Sequence, residues 1–167
     1  MKTNSSRVPD NFKTQFQTFK MLLKGSAMAK ASSYILIGTS VGFMIAYRDN
    51  ALQIAFLLIG VISIVFYIIN YLSLKDIKQK SYTQTSLVSS ISKFKTYMAQ
   101  RKKYEIYFMG IWVLSLIPVA NTYFKSGFKA MFCAIVYIAI VYLMGNLAYK
   151  KVDRTILILE KDMQKQL

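Results

Sequence analysis

ALQIAFLLIGVISIVFYIINYLSL, residues 51–74, runs for 24 residues without a charge. A helix needs about 20 apolar residues to cross the roughly 30 Å hydrocarbon core of a bilayer. A helix of a soluble bundle keeps a polar face, and this stretch is too uniformly apolar to have one. It therefore reads as a membrane span, and the rest of the chain is interpreted around it. Residues 107–124 are uncharged over 18 positions and residues 130–149 over 20. Residues 31–47 supply only 17, but the span can begin near Ala27 if Lys30 extends its amine to the headgroups.

Two short polar connections pair these spans. Arg48-Asp49-Asn50 separates the first two, and residues 125–129 separate the last two, with Gly127 available for a positive φ. The expectation is an all-α integral membrane protein with four transmembrane helices arranged as two hairpins. Residues 1–30 form an N-terminal segment, 31–74 the first hairpin and 75–103 a basic loop. Residues 104–149 form the second hairpin and 150–167 a C-terminal helix. Pro118 should kink the third span. No cleavable signal peptide is visible, so the first span is expected to act as an uncleaved insertion signal.

The formal charge is +15. Such a balance fits a nucleic-acid-binding protein or a membrane protein with basic loops, and the placement of the charges favours the second. Nineteen of the 22 Lys and Arg residues fall in the N-terminal segment, the central loop and the tail. Only Arg48, Lys125 and Lys129 fall in the two turns. By the positive-inside rule both termini and the central loop are expected in the cytoplasm, in a bacterial inner membrane. Arg101, Lys102, Lys103, Lys150 and Lys151 are expected as anchors at the membrane flanks. No nucleic-acid partner is expected.

Three charged segments carry apolar residues at helical spacing. Phe12, Phe16, Phe19 and Leu23 form one set; Leu87, Ile91, Phe94 and Met98 form a second; Val152, Ile156, Leu159 and Met163 form a third. Asp10 or Asn11 can cap the first helix, and Thr85 or Ser86 the second. The first two faces must be covered by lipid headgroups, by each other or by a partner, and these residues are taken as partner or lipid contacts. They also lie 75 residues apart, as do Lys20 and Lys95, so the chain reads as two similar units. Duplication and independent resemblance of two basic-flanked hairpins both account for that.

Within the spans, Gly38-x-x-x-Gly42 followed by Ala46 forms a small-residue stripe that suits close helix packing, within the chain or between copies. Asn70 and Asn146 are expected to pack helices through amide hydrogen bonds. No carboxylate falls at mid-depth, which argues against a proton-coupled exporter. Asp76, Glu105 and Asp153 lie near the interface beside basic flanks that suffice as their partners.

Histidine is absent and Cys133 is the only cysteine. That removes the commonest general base, any intrachain disulfide and any multi-cysteine metal site. Cys133 itself, in an apolar run, is expected to be a small buried hydrophobe. No enzyme, metal or cofactor is expected. The reading is a non-catalytic membrane accessory or scaffold that docks a membrane-protein partner or anionic lipid headgroups. The alternative is a small homo-oligomeric channel or transporter with its pore between protomers.

Overall fold

The structure is a computed structural model that describes residues 10–75, 77–78 and 82–164, with side chains described from 12 to 162. The expected roles of Lys2, Arg7, Asp76, Lys80 and Lys165, the caps at Asp10 or Asn11, and the Met163 side chain lie outside what it describes. Among the described residues there are five helices and no strand. They are α1 (Asp10–Ala46), α2 (Ala51–Tyr71), α3 (Gln84–Ser115), α4 (Ile117–Phe124) and α5 (Gly127–Gln164). Three helices are long and apolar enough to cross a membrane. A fourth span is reached if α3 and α4, bent by 43° at their junction, count as one.

The bend follows from Pro118. Its ring nitrogen cannot donate to the Leu114 carbonyl, and its ring crowds that turn. The helix therefore breaks at Leu116, whose N–H turns back to Val113 O at 3.1 Å, and restarts with the proline in its first turn. The first turn falls at Arg48-Asp49-Asn50, where it was expected, and the second differs in the residue that carries the positive φ. Asn50 caps α2 by accepting from the Gln53 N–H at 3.2 Å. In the second turn the positive φ falls on Lys125 (50°), whose N–H closes on Asn121 O at 2.9 Å, while Gly127 already begins α5. The cap of α3 is Thr83, in a reciprocal capping box with Ser86, rather than Thr85 or Ser86 itself.

The amphipathic segments are not separate helices. Residues 24–30 contain no proline, and one glycine does not stop a helix, so α1 runs unbroken for 37 residues, about 55 Å at 1.5 Å per residue. The extensions of α1, α3 and α5 meet beyond the spans at the lysine-rich end. There Phe19, Leu87, Ile91, Phe94 and Ile156 are almost wholly buried in one apolar cluster. Phe19 stands edge-on to Phe94 with centroids 5.7 Å apart. The segment after α2 folds over this cluster, contributing Ile77, while the Tyr82 hydroxyl donates to Ile77 O at 3.0 Å.

A second cluster lies among the spans, built from Ile64, Tyr67 and Ile68 of α2 with Trp112 and Val113 of α3 and Ala134 of α5. The Trp112 indole N–H donates to Ser40 Oγ of α1 at 2.9 Å. Helix α2 packs against α1 and α3, and α5 packs against α3 and α4. The starts of α2 and α5, at 51 and 127, keep the 75-residue offset to within one residue.

The close approach between helices is at Gly60. A Cβ there would collide with Ser115 Oγ and come within 3.0 Å of Ser115 Cβ and 3.4 Å of Trp112 Cδ1. Gly38 and Gly42 behave otherwise: both are exposed, as is Ala46, and a Cβ on either glycine meets nothing within 4 Å. The stripe therefore makes no packing contact within the chain. This distinction is measurable. Gly60→Leu should cost about 1–3 kcal/mol through overpacking and lower the melting temperature in detergent. Gly38→Leu and Gly42→Leu should leave the melting of the single chain unchanged.

Candidate functional site

The residues expected to contact lipid or a partner are mostly turned inward. Phe19, Leu87, Ile91, Phe94 and Met98 are buried in the apolar cluster, with Phe12, Phe16 and Leu23 packed against it. Three helical faces close to one another in sequence pattern satisfy each other, which removes them as an open docking surface. Asn70 is exposed, and its amide donates to Phe66 O of its own helix at 2.9 Å, so it bridges no helices. Cys133 is exposed rather than buried.

What the fold assembles instead is a polar cluster where the spans pass into the basic extensions. In the run Arg101-Lys102-Lys103-Tyr104-Glu105, a helix places positions four apart on one face and turns the two lysines away by about 100° and 200°. Arg101 and Glu105 thus face inward together. Arg101 Nε donates to Glu105 Oε2 at 2.8 Å and Nη2 to Oε1 at 3.4 Å. From α5, the Tyr149 hydroxyl donates to the same Glu105 carboxylate. The Arg101 guanidinium carbon sits 5.7 Å from the Tyr149 ring centroid, a cation–π distance.

Arg101 is therefore not the lipid-facing anchor expected of it; its side chain is only 11% exposed. Burial disfavours its charge, and Glu105 more than reverses this, holding the guanidinium above its already high ordinary value. The hydroxyls of Tyr97, one turn earlier, and Tyr67, on α2, are buried without a hydrogen bond of normal geometry, within the electrostatic reach of Arg101. Burial raises the Tyr97 phenol above its usual range, so it stays neutral. The Arg101 guanidinium and Glu105 carboxylate are paired, with the Tyr149 phenol on the carboxylate and the Tyr67 and Tyr97 phenols buried within reach of the charges.

Two clefts open on this unit. One, about 650 Å³, lies between α1 and α5 and is floored by Phe94, Met98, Arg101 and Glu105 of α3. The other, about 370 Å³, lies between α3 and α5 and is lined by Lys102, Lys103 and Asn146 together with Ile106, Met109 and Val141. Asn146, expected to pack helices, is one of the residues lining this cleft. Lys103 also stands 5.4 Å from the Tyr104 ring centroid, and the other two flank lysines, Lys150 and Lys151, are exposed. Lys102 approaches Asp153 at 3.8 Å.

Tyr67, Tyr97 and Tyr149 were not singled out in the sequence as site residues. The signal was available for one of them: Glu105 is a carboxylate at the edge of an apolar run, and such a group requires hydrogen-bond donors from neighbouring helices. No protein-family model matches the chain, nor does any curated protein or solved structure, so its residues and their geometry alone bear on function.

Proposed function

We propose that the chain crosses a bacterial inner membrane four times, as two hairpins with its lysine-rich end in the cytoplasm, and serves there as a non-catalytic scaffold. The observation that carries this reading is the continuity of α1 and α5 from apolar span to self-packed extension. The extension does not need lipid or a partner to bury its apolar faces. It stands as a folded platform whose outward side chains, including Lys20, Lys24 and Lys93, are basic and exposed. A rigid basic surface on a membrane anchor recognises acidic surfaces, either anionic headgroups or an acidic face of a membrane-protein partner. The helices that dock are those read from the sequence, but they dock through their charged faces.

Charge reversal tests it. Lys20→Glu, Lys24→Glu and Lys93→Glu together should leave insertion and melting unchanged, because none of these side chains is buried. They should abolish retention of a stoichiometric partner or of acidic lipid after gentle detergent extraction, read by quantitative mass spectrometry. Undiminished retention, or solute flux in liposomes carrying the purified chain, would overturn the scaffold reading; the flux would favour a channel. Reporter fusions at residues 49, 90 and 127 check the topology, and an external signal at residue 90 would sink it.

A further inference from the structure

The end of the molecule opposite the lysine-rich extensions carries aromatic side chains that the packing leaves outside. Tyr47, just past the end of α1, and Tyr123, on α4, stand edge to face with centroids 6.4 Å apart. The Thr122 hydroxyl donates to the Tyr47 hydroxyl at 3.4 Å, so the two hairpins are joined here. Tyr123, Phe124 and Phe128 are exposed, and Phe128 is the most exposed large apolar side chain among the described residues. Neither apolar cluster of the chain takes in any of these rings. Tyr47, Phe124 and Phe128 are each followed directly by a cation, Arg48, Lys125 and Lys129, and all three cations are exposed. Asp49 is the one acidic residue in the two turns.

A second tyrosine pair marks the other end of the spans. Tyr71 of α2 and Tyr104 of α3 have ring centroids 4.6 Å apart, with the Lys103 ammonium beside Tyr104. The Asn50 N–H closes on Tyr47 O at 2.9 Å, so α2 starts close to the first pair and ends on the second. Its 20 steps from Ala51 to Tyr71 cover about 30 Å. The 19 steps from Tyr104 to Tyr123 cover about 28 Å along α3 and α4, slightly less after the bend. Both lengths match the roughly 30 Å hydrocarbon core of a bilayer.

We infer that the turn end is a lipid-binding surface, with the rings of Tyr47, Tyr123, Phe124 and Phe128 seated in the glycerol-ester layer of the phospholipids. Arg48, Lys125 and Lys129 then lie at the level of the phosphates. This rests on the four-span placement proposed above and adds to it that the turns are held in the interface instead of standing free in water. Tyrosine suits that layer, because its ring is apolar and its hydroxyl is polar. The ring-then-cation order at Tyr47, Phe124 and Phe128 suits it for the same reason, since the layer has ester and acyl groups on one side and phosphates on the other. An apolar protein face laid on the same rings would leave three cations without a partner, and phospholipid supplies both chemistries at once.

Depth-resolved fluorescence quenching tests it on the full chain. Phe128→Trp and Ile135→Trp would be reconstituted in vesicles of phosphatidylcholine and phosphatidylglycerol, brominated either next to the ester or near the chain end. Both positions are exposed, so neither substitution disturbs packing, and the single native tryptophan, Trp112, is buried and gives a common background. Residues 128 and 135 lie on one face of α5, with 135 about 10 Å deeper along the helix. The residue-128 signal should be quenched more by the shallow bromines and the residue-135 signal more by the deep ones. Lys125→Glu/Lys129→Glu on the Phe128→Trp chain should lower the shallow quenching by about half, because each cation near the surface is worth roughly 1 kcal/mol on acidic lipid. Unaltered quenching in that variant would overturn the phosphate contacts. If residue 135 responds to the deep bromines and residue 128 to neither set, the inference fails and the four-span placement stands; the rings then face water or a protein. Deep quenching at residue 128 would overturn it as well. If both residues respond equally to the shallow bromines, α5 lies along the surface, and the placement itself is wrong.

Discussion

Phe19→Ala is expected to destabilise the lysine-rich end of the molecule by about 3–5 kcal/mol, with the spans still inserted. Phe19 is fully buried, edge-on to Phe94 at 5.7 Å and to Tyr82 at 5.8 Å. The ring lies where α1, α3 and the segment after α2 meet, so its removal leaves a cavity bounded by three separate elements. The location magnifies the loss. Among lipid tails, apolar side chains gain little from leaving one apolar environment for another, and helices are held by packing and hydrogen bonds. In the placement proposed above the cluster lies beyond the membrane, where the same side chains are removed from water, each contributing about 1.5–3 kcal/mol on full burial. Limited proteolysis at residues 72–83 should report the change, with cleavage much faster in Phe19→Ala than in the wild type. Phe128→Ala, on a side chain 81% exposed, should leave the rate unchanged. Equal cleavage of wild type and Phe19→Ala would show that the cluster does not hold the extensions together.

Arg101→Leu should cost about 1.5–3 kcal/mol, because it removes two charge-assisted hydrogen bonds from a half-buried Glu105 carboxylate and leaves one phenol as its remaining donor. The pair is bidentate, and the Arg101 side chain is only 11% exposed. Replacing both residues, Arg101→Leu with Glu105→Leu, should recover most of that loss, since the desolvation of two charges is removed along with their attraction. Thermal unfolding of the four species in detergent gives the coupling. If the double variant is no more stable than Arg101→Leu alone, the two side chains are not acting as a pair.

The long apolar runs were legible because a bilayer imposes a composition on every residue that faces it, whichever neighbours it has. Residues 51–74 announce a helix without any knowledge of α1 or α3. The bend at Pro118 was legible for a similar reason, since a missing N–H acts locally. The periodic faces at Phe12 to Leu23 and Leu87 to Met98 were also visible, but what covers them was not. Spacing says that a face must be buried and says nothing of the object it meets. In the structure they meet each other, together with Ile156 and Leu159. The stripe at Gly38 and Gly42 shows the converse. Small residues permit close approach without requiring it, and the helix contact that does require a glycine is at Gly60, which carries no motif. The Arg101–Glu105–Tyr149 unit joins positions 44 residues apart, and only the packing of α3 on α5 brings them together.

Helix α2 ends at Tyr71, whereas α1, α3 and α5 all continue into the lysine-rich end. The platform is therefore mounted on three struts, and the fourth post stops beneath it. In the four-span placement proposed above, neither α1 nor α5 has a loop at the membrane surface to absorb a load, so a sideways pull on the platform is carried into the bilayer as a tilt of both rods. In α3 the first joint along the rod is at Leu116, far below the point of loading. On that placement such a frame would pass torque from the lysine-rich end to the far turn at Lys125 without folding or unfolding any segment on the way.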